Sequence, residues 1–402
     1  MSINKKDIIR FHKKVSLQFT ESGFIISIGD QSIKKSASIL KLLEVFQKWI
    51  SIEEGLKEIA GNCKGKNTFI SASADFHDLL KKGFFEFKNS DTTRFQFHNG
   101  KFDSFPVHLR MLNDKARTQL FQKAIRETVT ANDIVLDIGT GNGILAATAA
   151  MAGAKHVYAI ERTGFIEVAR AVFKANKLEN KITLIQGDST AITLPEKATV
   201  LVSEIIGNEA FGEGILHTFN DARERLLTAD ARCIPEGLKI FAVAMEVNAE
   251  KYGQNMLSDE NMSQWKNWYG VDFSPFHDFI DASKLPVTNI KSIEAKKWKM
   301  LSSAIEIAQA DFTKNKAEVK NQEVILKIEN EGDFNAVLLF FECALTSRMQ
   351  LSMHPEKVDT SNHWSSRLHF IPAVKAKKGS TFTLNHTLKN LKSELRITAQ
   401  SA

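Results

Sequence analysis

Three glutamates alternate with glycines in the segment SEIIGNEAFGEG, residues 203–214. Glu204, Glu209 and Glu213 follow the apolar run VLV, as a loop at the end of a strand would. Carboxylates held close together repel one another unless a cation separates them. The donors of a guanidinium form a planar fork that matches such carboxylates, whereas a hard metal ion needs more oxygen ligands. The segment therefore predicts a cationic organic ligand and no metal, with exposed loop acids as the alternative.

A glycine-rich turn precedes this segment. Gly139, Gly141 and Gly143 lie in VLDIGTGNG, between an apolar run and the helical run ILAATAAMAG. Glycines allow the backbone to approach a ligand closely, and a helix N-terminus favours a negative group. Glu161 ends the apolar run HVYAIE, where an acid can accept hydrogen bonds from both ribose hydroxyls of an adenosine.

Two departures from the dinucleotide pattern indicate which adenosine compound binds. The spacing is G-x-G-x-G and not the G-x-G-x-x-G that seats a pyrophosphate. Asp137, just before the first glycine, would repel a diphosphate but would hold the amino group of a methionine moiety. We therefore predict S-adenosyl-L-methionine as the cofactor. Asp188 and Ser189, after the run ITLIQGD, are expected to contact the adenine or to form a polar turn.

The elements that must position these residues form three blocks. Residues 1–100 mix alternating and amphipathic segments and predict a small α+β, winged-helix-like domain. Residues 101–237 alternate apolar strands with helices, which predicts a Rossmann-like α/β domain with a parallel sheet. Residues 238–402 consist mostly of alternating strands and predict a β-barrel.

Composition narrows the class of protein. The 402 residues carry a net charge of +6, but the basic residues are scattered among acids, so a nucleic-acid partner is not expected. No apolar run is long enough for a membrane span, and the basic N-terminus lacks the features of a secretory signal. The three cysteines lie far apart, which is typical of a reducing compartment. We predict a cytoplasmic protein.

Four motifs in order resemble those of the protein arginine methyltransferases, over residues 102–402. VLDIGTGNG resembles their cofactor loop and SEIIGNEAFGEG their paired-glutamate loop, with Glu204 and Glu213 nine residues apart. The middle glutamate and the GEG ending are most similar to the type III, monomethylating branch. HLRMLNDKAR, residues 108–117, resembles the H-x-x-M-L-x-D-x-x-R helix, and residues 362–364, NHW, resemble the T-H-W loop.

The resemblance implies a class I methyltransferase fold followed by a barrel, and it implies roles for individual residues. Glu204 and Glu213 would clamp the substrate guanidinium, and Glu213 or an Asp114–His363 pair would accept its proton. Substrate would also contact Phe102, Phe105, Glu209 and Trp364. The cofactor would be bound by Arg117 at its carboxylate, by Glu161 at its ribose, and by residues that include His108 and Met111. Met111 would also limit the number of methyl groups. Residues 265–290 resemble the family's dimerisation arm, which implies a homodimer.

Two positions depart from the family pattern. Phe102 and Phe105 stand where the family has Y-x-x-Y or Y-x-x-F, and Ala191 stands where it has a glutamate that contacts adenine. Three hypotheses follow: methylation of arginine in a protein or peptide, methylation of another cationic amine such as lysine or a peptide N-terminus, and a non-catalytic scaffold. Intact Glu204, Glu213, Asp137, Glu161 and Arg117 favour an enzyme.

The first hundred residues lie outside the family's minimal core. They weakly resemble winged-helix modules that capture the leader of a ribosomally made peptide as an added strand. A structural or dimerising extension is the alternative, and a nucleic-acid module is a third.

Overall fold

The computed structural model describes residues 6–21, 23–29, 31–63, 66–88, 102–279, 285–321, 323–389 and 392–399. The chain divides into two compact units, Met1–Val107 and His108–Ala402, and each range contains its own buried apolar cluster. The predicted boundary between residues 100 and 101 lies outside the described residues, as do residues 280–284 of the predicted arm.

The N-terminal unit is an α+β structure with two antiparallel sheets, of strand order β2-β3-β4 and β5-β1-β6. Its strands are β1 (Ile8–Phe11), β2 (Ser16–Thr20), β3 (Gly23–Ile28), β4 (Gln31–Lys35), β5 (Ile50–Ser51) and β6 (Phe85–Phe87). Its helices are α1 (Ser38–Phe46), α2 (Ile52–Asn62) and α3 (Lys66–Lys81). The rings of Phe46, Phe76 and Phe85 pack together in the core. The winged-helix likeness stays a prediction.

A parallel sheet with the strand order β11-β10-β7-β8-β9 follows. Its strands are β7 (Ile134–Ile138), β8 (His156–Glu161), β9 (Ile182–Gln186), β10 (Ala198–Val202) and β11 (Leu227–Ile234). The helices of this region are α4 (Phe105–Asn113), α5 (Lys115–Thr128), α6 (Ile144–Met151), α7 (Ile166–Ala175) and α8 (Ile215–Arg225), with a 3-10 turn at Ser189–Ala191. Every residue of β7 is buried, as in a parallel sheet covered on both faces.

The position of β7 determines where a ligand would bind. β8 lies on one side of β7 and β10 on the other, so the strand order reverses at this point. In open α/β sheets, ligands bind beyond the carboxyl ends of the strands at such a reversal. The loops after β7 and β10, which contain the glycines and the glutamates, both start there.

The remaining chain is mostly antiparallel. The long strand β18 lies at the centre of a sheet of order β13-β20-β18-β12-β15-β16, with β14 beside β12 and β19 beside β18, and β17-β21-β22 form a further sheet. The strands are β12 (Gly237–Glu246), β13 (Val287–Ile290), β14 (Lys299–Met300), β15 (Ile305–Asp311), β16 (Lys320–Asn321), β17 (Glu323–Lys327), β18 (Gly332–Thr346), β19 (Met349–Ser352), β20 (Ser366–Ala376), β21 (Thr381–Lys389) and β22 (Lys392–Ala399). The helices are α9 (Ala249–Gly253) and α10 (Asp259–Tyr269), with 3-10 turns at Ser274–Phe279 and Ser292–Lys297.

The parallel sheet confirms the Rossmann-like part of the predicted fold class, and the antiparallel sheets of the remaining chain agree with the barrel part. None of the helices in the described ranges combines the length and apolarity that a bilayer crossing requires.

Candidate active site

The glycine turn after β7 has a backbone that other residues would strain. Gly139, Gly141 and Gly143 have φ values of 76°, 53° and 85°. A Cβ atom on Gly141 would lie 2.9 Å from Cε1 of His108, and one on Gly143 would lie 2.5 Å from Cε1 of Phe173. Positive φ and close packing both require glycine here. The turn therefore presents its bare backbone at the end of β7.

Glu161 is the last residue of β8, and its carboxylate lies against the glycine turn. Oε2 accepts a hydrogen bond of 2.8 Å from the backbone N–H of Gly141, and Oε1 accepts one of 2.8 Å from that of Thr163. The structure thus brings together two features that the sequence predicts to bind one adenosine.

Asp137 is buried near the end of β7. Its Oδ2 accepts a hydrogen bond of 2.6 Å from the Thr140 hydroxyl. Burial raises the pKa of Asp137 to about 7, with a smaller contribution from the charge of Glu161. The hydrogen bonds from Thr140 and from the N–H of Ala146 oppose this rise. A cationic group near Asp137 would favour its ionised form.

Asp188 and Ser189 form the polar turn after β9. Oδ1 of Asp188 accepts hydrogen bonds from the N–H (3.0 Å) and the hydroxyl (2.7 Å) of Thr190, which lower the pKa of Asp188. Ser189 is buried, and its carbonyl accepts a hydrogen bond of 2.9 Å from Arg225. The turn is therefore stabilised from within, and the adenine contact stays a prediction.

The loop after β10 brings two of its carboxylates to the same stretch of backbone. Oε1 of Glu204 accepts a hydrogen bond of 3.2 Å from the N–H of Ile206. Oε1 of Glu213 lies 3.0 Å from the position that a Cβ atom on Gly207 would take. Glu204 therefore contacts the backbone at Ile206 and Glu213 lies beside Gly207, although the two glutamates are nine positions apart in the sequence.

Arg117 connects helix α5 to this loop. Its N–H donates 3.1 Å to Oδ1 of Asp114, which caps the helix. Its guanidinium forms a buried ion pair with Glu204 and donates 2.8 Å to the carbonyl of Met111. The guanidinium carbon also lies 5.7 Å from the ring centre of Trp364. The residue expected to bind the cofactor thus contacts one expected to bind substrate.

Asp114 and His363 form the expected pair. Oδ2 of Asp114 lies 2.9 Å from Nδ1 of His363 and accepts a hydrogen bond of 3.0 Å from its N–H. Burial alone would raise the pKa of Asp114, but the hydrogen bonds from His363 and Arg117 hold it below its usual value. Trp364 is buried, and its Nε1 donates 2.7 Å to the carbonyl of Ile206.

The other predicted residues lie in different surroundings. The ring of His108 stacks on Phe165, with ring centres 3.5 Å apart. Phe102 and Phe105 fall within the N-terminal compact unit, and Phe105 begins α4 with a largely exposed side chain. Glu209 is engaged by the barrel: its Oε1 lies 3.0 Å from Nη1 of Arg367.

Comparisons with known proteins show which proteins the chain resembles. Residues 114–274 match the family model of the ribosomal protein L11 methyltransferase, and residues 244–399 match that of the arginine methyltransferase oligomerization subdomain. The chain is therefore similar to the protein arginine methyltransferases. It is 36% identical to protein arginine N-methyltransferase 1 of Schizosaccharomyces pombe over 46% of this chain and 54% of that protein. The same-named protein of Oryza sativa subsp. indica is 29% identical over 71% of this chain and 72% of its own length.

Two solved members of the protein arginine methyltransferase family share the fold. The Trypanosoma brucei PRMT1 enzyme–prozyme heterotetrameric complex with AdoHcy contains a chain that is 24% identical, with a TM-score of 0.63, over 75% of this chain and 96% of its own. Arabidopsis thaliana protein arginine methyltransferase 10 is 21% identical, with a TM-score of 0.60, over 74% of this chain and 93% of its own.

Sequence reasoning missed two basic residues of this candidate site. Nζ of Lys291 donates 2.5 Å to the carbonyl of His363, and it also contacts the carbonyl of Trp364 at 3.3 Å. Burial is the main cause of a lowered pKa for Lys291. The other missed residue is Arg367, the partner of Glu209. Neither stands in a motif with a chemical signature, so contacts across the fold were needed to find them.

Proposed function

We propose that the protein is an S-adenosyl-L-methionine-dependent N-methyltransferase that methylates arginine guanidinium groups in a protein or peptide. One observation carries the proposal: the acidic loop packs on the glycine turn. A Cβ atom on Gly139 would lie 2.8 Å from Cγ2 of Ile205, the neighbour of Glu204. A methyl donor bound at the turn and a cation held by the acids would therefore be neighbours.

The residues around the glycine turn fit this donor. The positive-φ glycines of the turn carry no side chains at the end of β7, and the Glu161 carboxylate beside them would accept hydrogen bonds from the ribose hydroxyls. Asp137 would bind the amino group, and Arg117 would bind the carboxylate. When bound, the donor supplies a methyl group on a positively charged sulfur.

The acids address the chemical difficulty of the acceptor. A guanidinium is protonated at ordinary pH and would be repelled by the sulfonium. Glu204 and Glu213 would offset this repulsion and fix the plane of the guanidinium. They would also draw its positive charge away from the attacking nitrogen. As the nitrogen–carbon bond forms, the carbon–sulfur pair of electrons goes to sulfur, and a proton must leave the nitrogen. Glu213 is our proposed acceptor for that proton, with the Asp114–His363 pair as the alternative.

Transfer from methyl-labelled S-adenosyl-L-methionine to three peptides tests the acceptor. One peptide contains an arginine, one replaces it with lysine, and one has a free N-terminus as its sole amine. We expect label in the arginine peptide. Label only in the lysine peptide or only in the peptide with the free N-terminus would show a different amine acceptor. If no peptide is labelled and the protein binds no cofactor, a scaffold is indicated.

The type III likeness extends the proposal to monomethylation, with Met111 and Trp364 shaping the acceptor pocket. The substrate contacts of Phe102 and Phe105 stay predictions. The middle glutamate and the GEG ending support this branch. Replacing Met111 with alanine would enlarge the pocket, so we expect dimethylarginine to appear among the products of that variant. Persistence of monomethylarginine alone would contradict the role of Met111.

A homodimer is the assembly that we propose. Helix α10 and the 3-10 turn after it expose several large apolar side chains: Trp268, Tyr269, Val271, Phe276 and Phe279. Such a patch is typical of an interaction surface. Sedimentation of the wild type should give twice the monomer mass. The double variant Trp268→Ser, Phe279→Ser should give a lower mass, closer to that of the monomer. A monomeric wild type would contradict the dimer.

The N-terminal unit would capture the leader of a peptide substrate in a reducing, cytoplasmic setting. In the described residues, β4 is an edge strand that pairs with β3 alone, and such an edge can accept an added strand. Methyl-labelled cofactor in a cell extract tests this idea. In the extract, the full chain should label a peptide that the fragment of residues 101–402 leaves unlabelled. Both proteins should label a short synthetic arginine peptide. Equal labelling in the extract would contradict leader capture.

A further inference from the structure

The acidic loop, residues 203–214, is bound to the barrel through hydrogen bonds and an ion pair. The Trp364 indole donates 2.7 Å to the carbonyl of Ile206, and the N–H of Ser365 donates 2.7 Å to Oδ1 of Asn208. Next along the strand, Arg367 pairs with Glu209 at 3.0 Å. Residues 364–367, at the start of β20, therefore contact the loop at Ile206, Asn208 and Glu209.

Glu209 is held from two sides. Besides Arg367 at its Oε1, its Oε2 accepts a hydrogen bond of 3.3 Å from the N–H of Ser393 on β22. The side chains of Glu209 and Arg367 are 14% and 23% exposed. An ion pair so shielded is weakened little by salt, and removing one partner leaves the other as an uncompensated charge.

The backbone of the loop is folded around Glu209. The N–H of Gly212 donates 2.7 Å to the carbonyl of Glu209. A Cβ atom on Gly207 would lie 3.1 Å from that carbonyl and 3.0 Å from Oε1 of Glu213. The carbonyl of Glu209 and the carboxylate of Glu213 therefore lie against the same side of Gly207, so a displacement of Glu209 would change the packing beside the Glu213 carboxylate.

We propose that Arg367 is a positioning residue, which acts through Glu209 to hold Glu213 in place for the substrate guanidinium. Glu209 is then a structural partner of the barrel and not the substrate ligand that the sequence predicted. The kinetic test of this inference rests on the proposed function, in which Glu213 binds the substrate guanidinium. The other two loop acids, Glu204 and Glu213, are the proposed ligands of the substrate guanidinium.

Arg367→Met tests the proposal, since it keeps much of the side-chain volume and removes the charge. Relative to wild type, we expect KM for an arginine peptide to rise or kcat to fall by about tenfold, with the Kd of S-adenosyl-L-methionine changed by less than about twofold. Arg367→Lys should restore most of the activity, because a lysine keeps the cation. Lys375→Met is the matched control: Lys375 lies on the same strand in an exposed ion pair with Asp333.

Glu209→Gln distinguishes the two roles of the glutamate. If Glu209 acts with Arg367, this variant resembles Arg367→Met and the double variant is no worse than either, because the two changes remove one interaction. The proposal would be overturned if Glu209→Gln lost much more activity than Arg367→Met and if the two losses added in the double variant. Glu209 would then be a substrate ligand. Unchanged kinetics in Arg367→Met, or an equal loss of cofactor binding, would overturn it too.

Amide hydrogen exchange gives a readout that does not depend on activity. Arg367→Met should speed exchange in residues 204–214, including the N–H of Gly212, and Lys375→Met should not. If exchange in this loop is unchanged by Arg367→Met, the positioning role fails even when the wild type transfers methyl groups. If exchange changes but the wild type transfers none, the loop attachment stands and the proposed function fails.

Discussion

The guanidinium of Arg117 forms a buried ion pair with Glu204. Arg117 is the residue expected to hold the cofactor's carboxylate, and Glu204 is expected to hold the substrate's guanidinium. In the structure, therefore, the guanidinium of Arg117 is paired with the carboxylate that we propose as a ligand of the substrate guanidinium. A cofactor carboxylate that attracts Arg117 would release Glu204, which couples the two binding events.

This pairing predicts that the cofactor site must be filled before substrate binds well. Calorimetric titration with an arginine peptide should show about tenfold higher affinity in the presence of S-adenosylhomocysteine than in its absence. Arg117→Ala should abolish this difference in peptide affinity, because Glu204 in that variant is not paired with Arg117 even without the cofactor. Equal peptide affinities with and without S-adenosylhomocysteine in the wild type would contradict the coupling.

The state of Asp137 predicts how cofactor affinity depends on pH. Burial raises the pKa of Asp137 to about 7, so the group loses its proton as pH rises through neutrality. The ionised form attracts a cationic amino group, so affinity for S-adenosyl-L-methionine should increase by about tenfold from about pH 6 to about pH 8. Calorimetry measures this rise, and Asp137→Asn should flatten it. A pH-independent Kd in the wild type would argue against the role of Asp137.

Close packing at the glycine turn predicts a specific intolerance. Gly143→Ala would combine a positive φ with a contact of 2.5 Å to Phe173, whereas Gly153 has a φ of 100° and open space around it. Both alanine variants should lose about 1–3 kcal/mol of unfolding free energy from backbone strain. Only Gly143→Ala should also lose cofactor binding, which calorimetry would detect. Retained binding in that variant would show that the turn adapts.

The Asp114–His363 pair predicts a stability effect with a defined sign. The pKa of Asp114 is lowered in the folded state, so its ionised form stabilises the fold above its ordinary pKa. That contribution disappears as pH falls through the lowered pKa. His363→Ala should cost about 1–3 kcal/mol at neutral pH and less in strong acid. Denaturant unfolding at several pH values measures this, and a cost that grows on acidification would contradict the assignment.

The local motifs were predictable because their chemistry follows from short spacings. The glycine turn, Glu161 at a strand end, and the pair of Glu204 and Glu213 each stand in a recognisable pattern. The alternation of strands and helices likewise predicts the parallel sheet, and the strand order then brings the turn and the acids together.

Other parts of the site were not predictable from such patterns. Lys291 and Arg367 act through contacts with residues more than seventy positions away, so no spacing reveals them. Glu209 belonged to an acidic pattern, and the pattern alone could not show that a barrel arginine engages it. Arg117 matched a motif, but its contact with Glu204 brings together residues 87 positions apart and depends on how the chain folds.

The central claim is tested most directly by mass-spectrometric location of the transferred methyl group. The wild type, S-adenosyl-L-methionine and an arginine peptide should give a product with one methyl group on a guanidinium nitrogen. Glu204→Gln should reduce its yield by about a hundredfold or more, because the charge that offsets the substrate cation is removed. Absence of methylarginine with the wild type, or an undiminished yield with Glu204→Gln, would contradict the account.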